Sequence, residues 1–277
     1  MCSSDLNSTQ PYILNNDNSF STLSTSIVLS GSNYNVSVSY SFVDNNTTND
    51  GFRMGSTTAS NFSSMNITSW DSFPLSRQNR QLYKYQGLIT ASNAPTILSN
   101  TSFSEAFRSS TSSTNLSIND WNTSNVTTMD KMFHSASNFN SNISSWNTSA
   151  VSNMQGCFTN AQAFNQNIGS WTTSSVTNMA SMFNGAILFN QNLSSWNTSS
   201  ATSMASMFQI SAMNQPSIGS WNFSGSPNMQ YMILNSGLIP ITYSSFLQNL
   251  SNNSNLPNNL NLNQTRSEEH TSELQSP

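Results

Sequence analysis

From position 132 to position 265 the chain has no Asp, Glu, Lys or Arg, a run of 134 residues without a formal charge. Over all 277 residues the charged fraction is 6%, where an ordinary soluble domain has about 25%. So few Lys and Arg leave no basic patch, and recognition of a nucleic-acid backbone is excluded. Long apolar runs are missing too. None approaches the roughly 18–20 residues that a membrane-spanning helix needs, so no membrane span is expected in this chain. The opening MCSSDLNSTQ has neither the basic nor the apolar part of a signal peptide. Cysteine is nearly absent, with only Cys2 and Cys157. What the chain does have is 35% hydrophobic residues, 10% aromatics, and an abundance of Asn, Ser and Thr. Disordered chains combine few apolar residues with high net charge. This one has little charge and strict order in the placement of its Trp, Met and Phe, which points to a packed core.

The last twelve residues, RSEEHTSELQSP, break the pattern with Arg266, Glu268, Glu269, His270 and Glu273. RSEEHTSELQS resembles the in-frame translation of a common sequencing adapter, and MCSSDL resembles the translation of its opposite strand. Residues 1–6 and 266–277 are therefore expected to be foreign to the protein, and 7–265 to be an internal fragment of a longer reading frame. Without those ends seven acids and six bases remain, a net charge of about −1. Cys157 is then left with no partner for an intrachain disulfide.

Trp recurs at 121, 146, 171, 196 and 221, a spacing of 25 each time. Three residues before each stands Ile118, Ile143, Ile168, Leu193 or Ile218. Eight after come Met129, Met154, Met179, Met204 and Met229; eleven after come Met132, Cys157, Met182, Met207 and Met232. Twelve after come Phe133, Phe158, Phe183, Phe208 and Ile233, and Phe139, Phe164 and Phe189 add a further column. A fixed period of this length predicts a repeat solenoid, in which no coil buries its own apolar side and stacked coils build Trp, Met and Phe ladders along one core. Within a coil, VTNMASMFNGA (176–186) carries apolar residues at helical spacing behind Ser and Thr suited to an N-cap, which predicts a short helix. NIGSW (167–171) predicts a short strand, and TTSS (172–175) a polar turn. Cys157, in a Met column, is read as a small core filler, and the Met stripe as packing.

FNQNIGSWTTSSVTNMASMFNGAILFNQNLSSW (164–196) resembles the BspA-like, leucine-rich-repeat-related repeat of bacterial and protist surface proteins and mycoplasma lipoproteins, which typically reads F-N-Q-D-I-x-x-W-D-V-S-N-V-T-x-M-x-x-M-F. The resemblance covers about 88–260. LITASNAPTIL (88–98) is similar to the family's opening coil, SFSEAF (102–107) to its first M-F segment, and SGLIPITYSSFLQNL (236–250) to its closing segment, where a Tyr and Leu pair caps the last coil. It implies an α/β leucine-rich-repeat-like fold, with a short parallel strand and a short helix per coil, extracellular or on the cell surface. Where the family has Asp after Trp, this chain has Asn122, Asn147, Thr172, Asn197 and Asn222; where it has Asp in F-N-Q-D, this chain has Asn142, Asn167 and Asn192. Those substitutions remove the charged oxygen ligands that a hard cation wants.

The domain reading follows: a small β region at 7–63, a junction at 64–87, solenoid repeats at 88–235, a C-terminal cap at 236–260 and a tail at 261–265. STSIVLSGSNYNVSVSYSFVD alternates at Tyr34, Val36, Val38, Tyr40 and Phe42, a strand signal, and resembles the small Ig-like domain of polycystic-kidney-disease type, although the usual W-G-D-G is replaced by YSFVDNN.

Chemistry needs groups that titrate, bind metal or attack. Between 132 and 265 only Tyr, Cys157 and His134 qualify, and His134, near Asp130 and Lys131, reads as part of a solvated face. Glu105, Asp120 and Asp130 fall on successive coils but form no pair at glycosidase spacing. No catalytic, cofactor-binding or metal residue is assigned, no cofactor is expected, and the chain is expected not to be an enzyme. Asn122, Asn147, Asn197 and Asn222 begin N-x-S sequons, glycan acceptors in a secretory setting, although Asn also serves turns and side-chain ladders. The expected function is adhesion, or binding of a protein or glycan on a cell or matrix surface, through a polar uncharged solenoid face. The alternatives are a structural spacer that displays another domain and, further off, a polysaccharide-active enzyme on a β-solenoid.

Overall fold

The computed structural model describes residues 13–14, 20–21, 67, 70, 74–75, 77, 79–111, 116–254 and 256. Of the expected Ig-like region, only β1 (Ile13–Leu14) and β2 (Phe20–Ser21) are described, paired antiparallel. The alternating stretch 34–42, the tail 261–265 and both adapter-like ends lie outside the described residues.

From the junction onward all pairing among the described residues is parallel. β3 (Pro74–Leu75) pairs with β4 (Thr96–Ile97), and β5 (Thr101–Ser102) with β6 (Val126–Thr128). Single bridges continue the ladder from Thr128 to Asn153, Asn178, Ser203 and Asn228. Each step is one 25-residue turn of chain, so a given position in one coil lies beside its equivalent in the next. The core follows from this register. Trp121, Trp146, Trp171, Trp196 and Trp221 are at most 3% exposed, and the Met and Phe columns are fully buried. Phe133, Phe158, Phe183 and Phe208 stack with ring centroids 5.4–5.6 Å apart and planes within 6° of parallel. Trp121–Trp146 and Trp146–Trp171 stack at 6.4 Å, and Trp196–Trp221 at 6.2 Å. Cys157 fills the Met column, and burial pushes its thiol pKa well up, which leaves the group inert.

The short helix expected over 176–186 is not there, and the expected strand at 167–171 is a turn closed by Trp171 N–H on Ile168 O at 3.1 Å. The bridge residue is Asn178 instead. After it, alternate residues of the coil look outward to the next one: the N–H groups of Met179, Ser181, Phe183 and Gly185 donate to the carbonyls of Ser203, Ala205, Met207 and Gln209 at 2.8–2.9 Å. The intervening Met182, Asn184 and Ala186 donate three residues back within their own coil at 3.1–3.2 Å. A left-handed residue every fourth position makes this possible and forbids an α-helix. The pairs are Arg80 and Lys84, Glu105 and Ser109, Lys131 and Ser135, Gly156 and Asn160, Ser181 and Gly185, Ser206 and Ile210, and Tyr231 and Asn235, with φ between 51° and 71°. Helical spacing and this turn-rich ladder place apolar side chains on the same face, so the apolar pattern alone does not separate them.

Buried polar groups are satisfied between coils. Each indole from Trp146 on donates backward: Trp146 to Ile118 O, Trp171 to Ile143 O, Trp196 to Ile168 O and Trp221 to Leu193 O, at 2.8–3.1 Å. The buried threonines reach forward: Thr123 to Asn147 O, Thr148 to Thr172 O, Thr173 to Asn197 O and Thr198 to Asn222 O, at 2.7–2.9 Å. Each such bond contributes about 0.5–1.5 kcal/mol net, and losing one partner leaves the other buried and unsatisfied. At the N-terminal end the pattern stops. Trp121 Nε1 is buried without a partner among the described residues, and Trp70 meets the Trp121 ring edge-on at 5.5 Å and 87°.

The other end is closed by α1 (Pro240–Ser251), the only α-helix among the described residues. Pro240 suits its first turn, and Phe246 and Leu250 are buried, with Tyr243 packed against the core beside them. The helix rests on a 3₁₀ turn, Pro216–Ser220. A Cβ at Gly219 would lie 2.6 Å from Phe246 O, so only glycine admits this approach. Asn249 and Asn253 donate to Pro216 O and Trp221 O at 3.0 and 2.5 Å and fasten the helix to the last coil.

Candidate interaction surface

All described charge lies in the first coils, between Arg77 and Lys131. Glu105 accepts from Arg80 and, at 2.6 Å, from Arg108. Its burial opposes ionisation, but the hydrogen bonds and charges of the two arginines outweigh that and hold its carboxyl below its ordinary value. Asp130 accepts from Ser104 Oγ at 3.2 Å. Asp120 is exposed in the turn closed by Trp121 N–H on Ile118 O, apart from that column. His134 pairs with Ser135 Oγ at 2.9 Å. Burial first, and then the charges of Arg108 and Lys131, lower its pKa. Among the described residues no group of three or more His, Cys, Asp or Glu could hold a metal ion, and no helix is long and apolar enough to cross a membrane.

Beyond Lys131 the exterior is neutral, and it is organised in rows, the first of which already begins at Asn122, two residues after Asp120. Asn122, Asn147, Asn197 and Asn222 are exposed, one per coil, with Thr172 in the same position of the middle coil. The Oδ1 of each Asn accepts the backbone N–H two residues on, from Ser124, Ser149, Ser199 and Ser224, at 2.9–3.2 Å. Asn142, Asn167 and Asn192 cap the turn before each Trp in the same way, at 2.9–3.0 Å. An acceptor oxygen is all this turn requires, so Asn and Asp serve equally, and the Asn found at these positions needs no cation to explain it. A third row is a true ladder: Asn140 Oδ1 accepts Asn165 N–H, Asn165 Oδ1 accepts Asn190 N–H, and Asn190 Oδ1 accepts Asn214 N–H, at 2.8–3.0 Å. Asn214 Oδ1 then accepts Ile239 N–H at 3.3 Å and Thr242 Oγ1, just where α1 begins.

Residues 101–216 and 144–252, together more than half of the chain, match one family. The chain belongs to the family described as "Mycoplasma protein of unknown function, DUF285". No curated protein matches it, and no solved structure does. In this DUF285 chain the four sequon asparagines that directly follow Trp fall in a single exposed row. Sequence reasoning missed the buried threonine column and the Asn140–Asn214 ladder. Thr and Asn are so common here that nothing but the 25-residue spacing marks Thr123 or Asn140 out from their neighbours.

Proposed function

We propose that this DUF285 chain is a BspA-like, leucine-rich-repeat-related solenoid segment of a cell-surface or secreted protein. It acts as a non-catalytic binding module for a protein or glycan on a cell or matrix surface. The observation that carries the reading is the neutral exterior, in which exposed Asn, Ser and Thr repeat coil by coil with side chains already fixed by hydrogen bonds. Such a face meets a partner without first ordering its own side chains, which lowers the entropic cost of binding. A repeated coil also extends the contact in one direction. The absence of a catalytic role rests on the ionisable groups: Glu105 is occupied by two arginines, and Cys157 is fully buried and held as the thiol.

The test is an array of glycans and extracellular-matrix proteins, together with intact cells, probed with the full chain. Binding to at least one class, with weak dependence on salt because the face is neutral, is the expected result. No binding to any cell, glycan or matrix protein overturns the reading.

A further inference from the structure

We propose that the exposed row Asn122, Asn147, Asn197 and Asn222 is a binding track for a neutral β-1,4-linked polysaccharide that lies along the stack with one sugar ring per coil. This deepens the glycan arm of the reading above and rests on it. The row is preorganised. The Oδ1 of each residue is committed to its own turn, while its Nδ2 has no acceptor among the described residues and both its N–H groups are left for solvent or ligand. Two residues before Asn147, Thr172 and Asn197 stands a hydroxyl row, Ser145, Ser170 and Ser195, all exposed. These hydroxyls donate inward, Ser145 to Asn119 O, Ser170 to Ser144 O at 3.0 Å and Ser195 to Gly169 O at 2.6 Å, so their lone pairs face outward. The outward pattern is thus a line of donors next to a line of acceptors, which is what the vicinal hydroxyls of a sugar satisfy.

Charge and periodicity narrow the ligand. Asp120, exposed in the first coil, holds the position of the hydroxyl row there; from Ser145 on neither row carries an ionised side chain, so over that stretch an anionic or cationic polymer would give up hydration with no counter-charge in return. The Thr123 bond to Asn147 O and the Thr198 bond to Asn222 O fix these positions one coil apart, which for parallel-bridged chains means about 4.7–4.9 Å. An extended polypeptide advances about 3.3 Å per residue and falls out of step. An equatorially linked β-1,4 pyranose chain advances by about one ring length per sugar, close to one coil, and turns each ring over relative to the last, so the same hydroxyl edge returns to the rows at every second coil. An α-1,4-linked chain coils away from a straight track. All the repeat tryptophans are buried, so binding is built from many equal hydrogen bonds and grows with ligand length. Thr172 interrupts the row at its centre.

The full chain is titrated with cellohexaose, cellobiose and maltohexaose, and sedimented with amorphous cellulose. Cellohexaose and cellulose bind, cellobiose binds far more weakly, and maltohexaose does not bind. The quadruple variant N122D/N147D/N197D/N222D keeps every turn acceptor, so its circular dichroism matches the parent and its Tm falls only by the repulsion of like charges one coil apart, while its affinity for cellohexaose falls by about tenfold or more. T172N completes the row and raises affinity by about two- to fivefold. A folded quadruple variant that binds as tightly as the parent overturns the proposal. So does a parent chain that captures a matrix protein or another glycan but ignores cellohexaose, an outcome that leaves the surface-binding reading standing. If the parent binds nothing at all, both fall.

Discussion

The coils before and after Lys131 are built alike inside and differently outside. In both, alternate N–H groups cross to the next coil and rings stack on rings. Yet one left-handed column runs Arg80, Glu105, Lys131 in the first coils and Gly156, Ser181, Ser206, Tyr231 in the later ones. Side-chain charge is therefore not what holds a coil to its neighbour. Ladder bonds and apolar stacking do that in both halves, and the ion pairs around Glu105 are an addition at one end.

The largest effect expected from probing this comparison is in the shared core. Trp146→Ala removes an indole stacked on both Trp121 and Trp171, with its bond to Ile118 O, and about 3–5 kcal/mol of stability goes with it, read from urea unfolding. Trp121→Ala costs less, because that indole N–H has no partner and a stacked neighbour on one side only. An equal or greater loss at Trp121 would contradict the account of how the ladder ends. Thr173→Val comes next. It keeps the shape but strands the carbonyl of Asn197, at a cost of about 1–3 kcal/mol; a loss below the error of the fit would remove the threonine column from the list of inter-coil ties.

Acid sensitivity is expected to belong to the first coils alone. The Glu105 pKa is lowered in the folded chain, so its contribution is present above the ordinary carboxylate value and disappears as pH falls through the folded value. The His134 pKa is lowered as well, so the folded state resists its protonation and stability declines as pH drops below about 6.5. Glu105→Gln flattens the lower part of that acid limb and His134→Gln the upper part. Glu105→Gln costs up to about 1 kcal/mol at neutral pH, and less in high salt. An unchanged pH profile in the double variant would place the acid response elsewhere. The smallest effect is a gain. Ile210 is β-branched, half exposed and left-handed at φ 55°, so Ile210→Gly is expected to stabilise by about 0.5–1 kcal/mol. Gly185→Ala is its counterpart and destabilises, because the new Cβ would fall 2.2 Å from Asn160 Oδ1.

What could be read from the sequence was set by where the signal lay. The apolar columns are visible because Trp, Met and Phe are scarce and their spacing is constant, and these residues are the ones found buried. The local backbone is not visible. A ladder of turns with left-handed Ser, Asn and Ile presents the same apolar spacing as a helix, and only Gly156 and Gly185 among its left-handed positions carry the residue that announces such a conformation. The polar interior was hidden for a related reason. Thr148 and Thr173 look like surface in a chain full of Thr until their hydroxyls are seen to face the next coil's carbonyl. The exposed Asn row was found through its sequon, while its turn chemistry, which frees the amide nitrogen, needed coordinates.

The opposed directions of the indole and threonine bonds bear on how such a chain changes length. A cut that removes one whole period rejoins an indole to a carbonyl and a threonine to a carbonyl of the same kind, so the seam closes without a stranded group. A cut of any other length misaligns both sets at once. Relatives of different size are therefore expected to differ by multiples of one coil, with gain and loss concentrated between the edge-on Trp70 at one end and α1 at the other.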